Sequence, residues 1–269
     1  IRKLSLSNNK MLIDAARSIW TTDTFVKTSI KNVKILNKNI KIYGFAKGSG
    51  MISPNMGTML AYIFIDCEID RKELKKLLSD NIDGTFNSIS VDSDTSTSDS
   101  LMLFSNPIYK INLNKRHYNK ISKTLNKVMK ELSFKIISDG EGVKKIIKVN
   151  VKNAKSKSQA KNIGFSISNS PLVKTAIAGE DANWGRIVMA IGKTREKISQ
   201  DKITIKFGNL LLAKAGERNS KVNLSKVDQY MKKNLIEIEV NLNLGNHSST
   251  IYGNDLNAEY IRINADYRS

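Results

Sequence analysis

Residues Lys47 to Asp66 read KGSGMISPNMGTMLAYIFID, and a change of character inside this stretch decides how the rest of the chain is read. Gly48, Ser49 and Gly50, then Pro54 and Asn55, put strong turn formers within a few positions, the composition of a loop. From Met59 to Ile65 the residues form an unbroken apolar run, the pattern of a strand buried on both faces. Gly57-Thr58 therefore lies where an exposed segment enters the interior. A hydroxyl there would be fixed by the strand behind it and reached from the loop before it.

That placement suits nucleophilic chemistry. A bare threonine hydroxyl is a poor nucleophile and needs a positioned base. Cutting the chain immediately before Thr58 would supply one, because the freed α-amino group has an unperturbed pKa of about 7.7–8.0 and can take the hydroxyl proton. Gly57 favours such a cut: without a Cβ it tolerates unusual backbone angles and leaves its carbonyl open to the Thr58 hydroxyl. The alternative is a strand that simply begins with threonine after a glycine loop, and spacing alone leaves both readings standing.

The 269 residues can hold one large or two ordinary domains with ample core, and an apolar share of 40% argues for a globular protein. No apolar segment approaches the length of a membrane span. The opening IRKLSLSNNK lacks the apolar centre of a secretory signal and does not begin with Met, so the expectation is a chain whose beginning is missing. The net charge of +19 permits nucleic-acid or anionic-membrane binding. The excess is nearly all Lys, spread along the chain beside abundant Asn and Ile, with no basic stripe interleaved with aromatics. It reads as compositional bias, and neither a nucleic-acid nor a membrane partner is expected. Cys67 is the only cysteine, so no internal disulfide can form, which fits a cytoplasmic protein. With only His117 and His247 beside it, no Cys/His metal cluster can be built, and no metal is expected. His117 reads as a solvated helix face and His247 as a turn.

Along the chain, Met11, Leu12, Ala15, Ala16 and Ile19 have helical spacing over 8–20, and Val33 to Gly44 alternates about an Asn37-Lys38-Asn39 turn as a hairpin does. Thr21 to Thr24, TTDT, reads as a helix stop or strand end. Lys47, set among glycines, is either an ordinary loop lysine or a point charge able to hold a carboxylate. Helices are expected over 71–78, 118–137, 157–167 and 227–233, and strands over 87–91, 101–104, 145–151, 203–207, 210–213, 236–242, 250–252 and 260–263. Asp92 to Asp99 is dense in acids and hydroxyls but lacks the glycine and final Glu of a calcium loop. Glu141, flanked by Gly140 and Gly142, is either a solvated turn residue or a carboxylate aimed at an ammonium group. Asn183, Trp184 and Arg186 read as packing anchors, with substrate contact as the lesser alternative. The element pattern is α+β rather than regular βαβ repeats, with a boundary near 145–155, drawn as domains 1–148 and 149–269.

KGSGM, PNMGTML, DTSTSD, DGEG, VKTAIAGEDANWGRI and the closing YIRINADYRS, in this order over nearly the whole chain, resemble the ornithine acetyltransferase / glutamate N-acetyltransferase family of arginine biosynthesis. The resemblance implies a layered α/β sandwich of the self-cleaving N-terminal-nucleophile type with a second, smaller α+β domain whose last residues return to the active site. It implies cleavage between Gly57 and Thr58, with Thr58 as catalytic nucleophile. The substrate-binding residues would be Thr21 (Thr22 beside it), Lys47, Thr58, Glu141, Asn264 and Ser269. Where this chain has Gly57 the family usually has Ala. Ser93 and Ser98 replace its usual Gly and Asn, and Ser269 keeps the hydroxyl of its usual terminal Thr. The Thr-Gly pair that serves as the family's oxyanion donors would precede residue 1, so these residues alone are expected to be weak or inactive.

The expected function is acetyl transfer from N-acetylornithine to glutamate through an acetyl-Thr58 intermediate. No cofactor is expected, though acetyl-CoA is a candidate co-substrate, and the self-cleaved α and β chains would assemble as an α2β2 heterotetramer. A related self-cleaving amidase or aminopeptidase is the alternative among enzymes, and a basic non-catalytic binding protein the alternative outside them.

Overall fold

The apolar run after Thr58 forms a strand, Leu60–Ile65, in a computed structural model that describes residues 9–53, 59–94 and 99–266. The chain divides into two units, Ile1–Asn87 with Asp94–Asp139, and Ser88–Ser93 with Gly140–Ser269. Residues 140–148 thus belong to the second unit, because they lead into and begin a strand paired on both sides within its sheet.

The first unit runs α1 (Asn9–Ser18), β1 (Lys27–Ile35), β2 (Lys38–Lys47), β3 (Leu60–Ile65), α2 (Arg71–Ile82), β4 (Ser100–Ser105) and α3 (Lys115–Ser138). Its sheet has the order β1-β2-β3-β4, antiparallel except for the parallel pair β3/β4. The hairpin expected over 33–44 is β1/β2, but its turn is Leu36-Asn37, since Ile35 pairs with Lys38 and Lys34 with Asn39. Leu36 takes a positive φ of 53° to close it. β3 is not buried on both faces as expected. Ala61, Ile63 and Ile65 are fully buried, whereas Leu60, Tyr62 and Phe64 are half-exposed. The helices account for this asymmetry: α3 packs on β1 and β2, and the face opposite the buried side chains carries a row of rings. On that row Phe64 stacks on Tyr43 at 5.4 Å and on Phe104 at 5.0 Å, and Phe104 is 40% exposed. Ile121, Leu125, Val128, Met129 and Leu132 of α3 are completely buried, as their helical spacing predicts, whereas Phe134, expected near the same face, is 39% exposed and Ile136 is buried in line with the others.

The second unit runs β5 (Ile146–Ala154), α4 (Lys157–Ser168), α5 (Pro171–Ala178), α6 (Trp184–Gly192), β6 (Thr204–Phe207), β7 (Leu210–Lys214), β8 (Glu217–Arg218), α7 (Leu224–Met231), β9 (Leu235–Asn241), β10 (His247–Asn254) and α8 (Ala258–Asp266). The sheet order is β10-β5-β9-β6-β7-β8, with β5/β9 the parallel pair. The observed class is α+β, two sheets flanked by helices. Two strand expectations fail. Residues 87–91 make a short 3-10 turn (Phe86–Ser88) and a single bridge from Ile89 to Tyr252, too little for a strand. Residues 260–263 lie in α8, where the Asn257 side chain accepts from the Glu259 amide and Glu259 pairs with Arg262 one turn on. His247 opens β10 rather than lying in a turn. His117 sits half-buried in the first turn of α3, its Nδ1 2.8 Å from the Asn112 carbonyl. Cys67 is completely buried, and burial pushes its thiol pKa up, as expected of a small core residue.

Residues 88–93 are held in the second unit by Lys174 of α5, which is 4% exposed. Its Nζ donates to the Val91 carbonyl and, at 2.9 Å, to Asn254 Oδ1. Burial draws its pKa from 10.5 down to about 8, against the charges of Asp92 and Asp255. The folded protein therefore sheds this proton above about pH 8, while the unfolded chain keeps it to about 10.5. Across that window the unfolded state binds more protons, so the contribution of Lys174 to stability rises with pH. Urea unfolding of wild type and Lys174→Met should give a stability difference that moves in favour of wild type as pH rises from about 8 to about 10.5. A difference that stays flat would contradict the assignment.

Candidate active site

Three loops quoted from the sequence meet in the first unit around one lysine. Lys27 opens β1 and is completely buried. Its Nζ is paired with Asp23 of the TTDT run and with Asp139, the first residue of DGEG, both carboxylates buried with it. Removing an ammonium group from water is tolerable only when such partners replace the hydration. Asp23 does further work. It accepts from the Gly48 amide at 2.9 Å and the Thr21 amide at 3.3 Å, so TTDT and KGSG are tied to the same carboxylate. Burial raises the pKa of Asp23, but the hydrogen bonds from Lys27, Gly48 and Thr21 and the Lys27 charge outweigh it, leaving it below the usual value. Asp139 takes both the amide and the hydroxyl of Thr24, and the Ser49 hydroxyl donates to its carbonyl.

This frame brings two of the expected residues together. Lys47, the last residue of β2, is 5% exposed, and its Nζ donates to the Thr21 hydroxyl at 3.0 Å. Thr21 is exposed, so the pair joins a buried cation to the surface. Thr22 is exposed beside it. Gly57 and Thr58 lie outside the described residues. Met59, which follows Thr58, is 3% exposed. Its amide donates to the Asp99 side chain and its carbonyl accepts from the Ser100 amide at 3.0 Å.

A second pair lies in the second unit. Glu141 Oε2 accepts from Asn264 Nδ2 at 2.9 Å, and the same Nδ2 donates to the Tyr260 carbonyl one turn back in α8. The turn that presents Glu141 needs its glycine. Gly142 has φ +70°, and a Cβ there would stand 2.5 Å from the Tyr260 nitrogen. Ser269 lies outside the described residues. Asn183, Trp184 and Arg186 serve the packing of α5 and α6. Asn183 caps α6 through the Arg186 amide at 3.1 Å, and the Arg186 guanidinium donates to the Leu172 carbonyl at 2.7 Å. Among the described residues no group of three or more His, Cys, Asp or Glu side chains is placed to hold a metal ion, and no helix is long and apolar enough to cross a membrane. Reading the sequence missed Asp23, Lys27, Asp139 and Asp99. The signal for the first three was available only in part, as the acid within TTDT and a lysine four residues after it.

The architecture is that of an α+β protein with two sheets flanked by helices, and the comparisons with known proteins narrow it to a family. A model of the ArgJ family matches residues 1–269, and the chain belongs to that family. It is 44% identical over 264 residues to the arginine biosynthesis bifunctional protein ArgJ of Brucella melitensis biotype 1, covering 95% of this chain and 64% of that protein. To the protein of the same name from Bartonella quintana it is 44% identical over 263 residues, covering 96% of this chain and 64% of that protein. The chain thus spans less than two thirds of the length of these relatives. Among solved structures, the arginine biosynthesis bifunctional protein argJ from Bacillus halodurans superposes with a TM-score of 0.73 at 35% identity, covering 78% of this chain and all of that one.

The buried triad makes a sharp expectation. Lys27→Met should cost roughly 3–5 kcal/mol of unfolding free energy, because two buried carboxylates lose their counter-charge. On the same strand, Lys31 pairs with Glu131 at 2.6 Å but is 40% exposed, and Lys31→Met should cost under about 1 kcal/mol. Denaturant titrations of the two variants side by side measure the contrast, and equal losses would refute the role of burial.

Proposed function

We propose that the complete protein is a cytoplasmic acetyltransferase that moves the acetyl group of N-acetylornithine to glutamate, with Thr58 as a self-generated N-terminal nucleophile. The observation that carries the reading is the Lys47–Thr21 hydrogen bond at the end of β2, a buried lysine joined to the surface in the stretch of sequence that precedes Thr58. Membership in the ArgJ family supports the reaction class, and the Glu141–Asn264 contact supports the assignment of two further substrate-binding residues.

The first step is internal. The Thr58 hydroxyl oxygen bonds to the Gly57 carbonyl carbon, the Gly57–Thr58 amide bond breaks and the nitrogen takes a proton. Water then hydrolyses the resulting ester, leaving a Gly57 carboxylate and a Thr58 with free amine and hydroxyl. In the transfer itself that amine takes the hydroxyl proton as the oxygen attacks the acetyl carbonyl carbon. The tetrahedral intermediate collapses, the proton passes to the departing nitrogen and ornithine leaves. The α-amine of glutamate attacks the acetyl ester in turn, N-acetylglutamate departs and the Thr58 hydroxyl is restored. One nucleophile serving donor and acceptor alternately gives ping-pong kinetics. In this reading Lys47 and Thr21 hold the substrate carboxylate, while Glu141, positioned by Asn264, receives an ammonium group, with Ser269 as a further contact. Acetyl-CoA would charge the same hydroxyl by the same attack on its thioester, with no resident cofactor. The two pieces would stay together as an α2β2 assembly.

Intact-mass spectrometry of the complete protein tests this. Wild type should be found as two pieces divided at 57/58 and should gain one acetyl group on the piece beginning with Thr58 after brief exposure to N-acetylornithine. Thr58→Ala should stay whole and take up none. An uncut wild type that transfers acetyl at full rate would overturn the proposal, and steady release of acetate without glutamate would point to an amidase instead.

A further inference from the structure

Asp99 is half used by the fold. It opens the approach to β4, where its Oδ1 accepts the backbone N–H of Met59. Its other oxygen, Oδ2, is buried and has no hydrogen-bond partner among the described residues. A buried carboxylate oxygen without a donor burdens the folded state, so a role in stability alone does not account for it. Burial raises its pKa to about 6, against the Met59 hydrogen bond and the charge of Lys47. The same short stretch of chain grips Met59 at both ends of its backbone, since the neighbouring Ser100 amide donates to the Met59 carbonyl.

The geometry matters because of what precedes Met59. The Met59 N–H belongs to the planar peptide unit whose other end is the carbonyl and Cα of Thr58. Fixing that N–H restricts the one covalent link through which β3 can orient the proposed nucleophile. We propose that Asp99 is a positioning residue for Thr58, acting by holding the Thr58–Met59 peptide through the Met59 amide. This rests on the reading of Thr58 as nucleophile. The useful atom is Oδ1, and the requirement is an acceptor at that position rather than a charge. Misalignment of a reacting group by about an ångström costs on the order of a hundredfold in rate, which sets the size of the effect.

The test uses the complete protein, following self-cleavage by intact mass, acetyl transfer by kcat and KM, and folding by the thermal midpoint. Asp99→Leu keeps the size and removes the acceptor. It should slow cleavage and lower kcat by about a hundredfold with KM little changed, a loss larger than any shift of the midpoint, in which relief of the unpaired Oδ2 is set against a Met59 N–H left without its acceptor. Asp99→Glu keeps the carboxylate but misplaces it by one methylene, and should lose about tenfold, a result available even where the leucine variant does not fold. Asp99→Asn restores an acceptor in place and should recover most of both rates. Wild-type rates in Asp99→Leu or Asp99→Glu, failure of Asn to restore them, or losses that merely track a lowered midpoint would each overturn the role. A wild type that is not cut at 57/58 would overturn the Thr58 reading and this role together, whereas a cut wild type beside an equally cut Asp99→Leu overturns the role of Asp99 alone.

Discussion

The first unit is organised by the need to neutralise Lys27. An ammonium group with no access to water must find its counter-charges inside the protein, and here they come from Asp23, four residues before it, and Asp139, at the end of the longest helix. Neither carboxylate is free to be elsewhere once the lysine is buried. Asp23 then fixes the amides of Thr21 and Gly48, and Asp139 fixes Thr24 and Ser49. The Thr21–Lys47 contact is a downstream result of this electrostatic constraint, as β2 ends where KGSG is pinned. Replacement of such a group by an apolar one is not a local change, because every loop end in contact with the triad relies on it.

Much of this was legible in the residues themselves, for identifiable reasons. The apolar run after Thr58, the hairpin before it and the long amphipathic α3 announce themselves through periodicity, which depends only on which face meets the core. Lys47 and Thr21, and separately Glu141 and Asn264, were picked out through motif resemblance and are found in contact. Periodicity misled in two places. Tyr260 to Ile263 looks like a strand, but the asparagine just before it takes an amide of the first turn and the segment is helical. The run after Met59 looks buried on both sides, yet its second face is a row of half-exposed rings. The triad was invisible because one partner lies 112 residues from Lys27, and only the fold tells which of many acids meets which of many lysines. Thr58 and Ser269 lie outside the described residues, so their assignment remains with the resemblance.

Lysine is used here in two distinct ways, which the net charge of +19 conceals. At the surface it forms exposed pairs such as Lys152 with Glu239, each worth little. Inside, Lys27, Lys47, Lys145 and Lys174 are all buried, and each reaches carboxylates, carbonyls or hydroxyls. Lys145, for example, donates to Glu180 and to the carbonyls of Met231 and Lys233, which ties the start of β5 to the end of α7. A long stem that fills apolar space and a head that gathers several oxygens make lysine an internal fastener in this chain.

The assignment of residues 88–93 to the second unit, between two stretches of the first, has a consequence for biosynthesis. As the polypeptide leaves the ribosome, this short piece emerges early, flanked by segments that can already assemble. It must then wait until Lys174 and Tyr252 have been made before the Val91 carbonyl finds its donor and the Ser90 amide its acceptor. The units therefore cannot be matured strictly one after the other. Excising either at a single cut would strand part of its partner, so they are inseparable by simple truncation even though each has its own sheet.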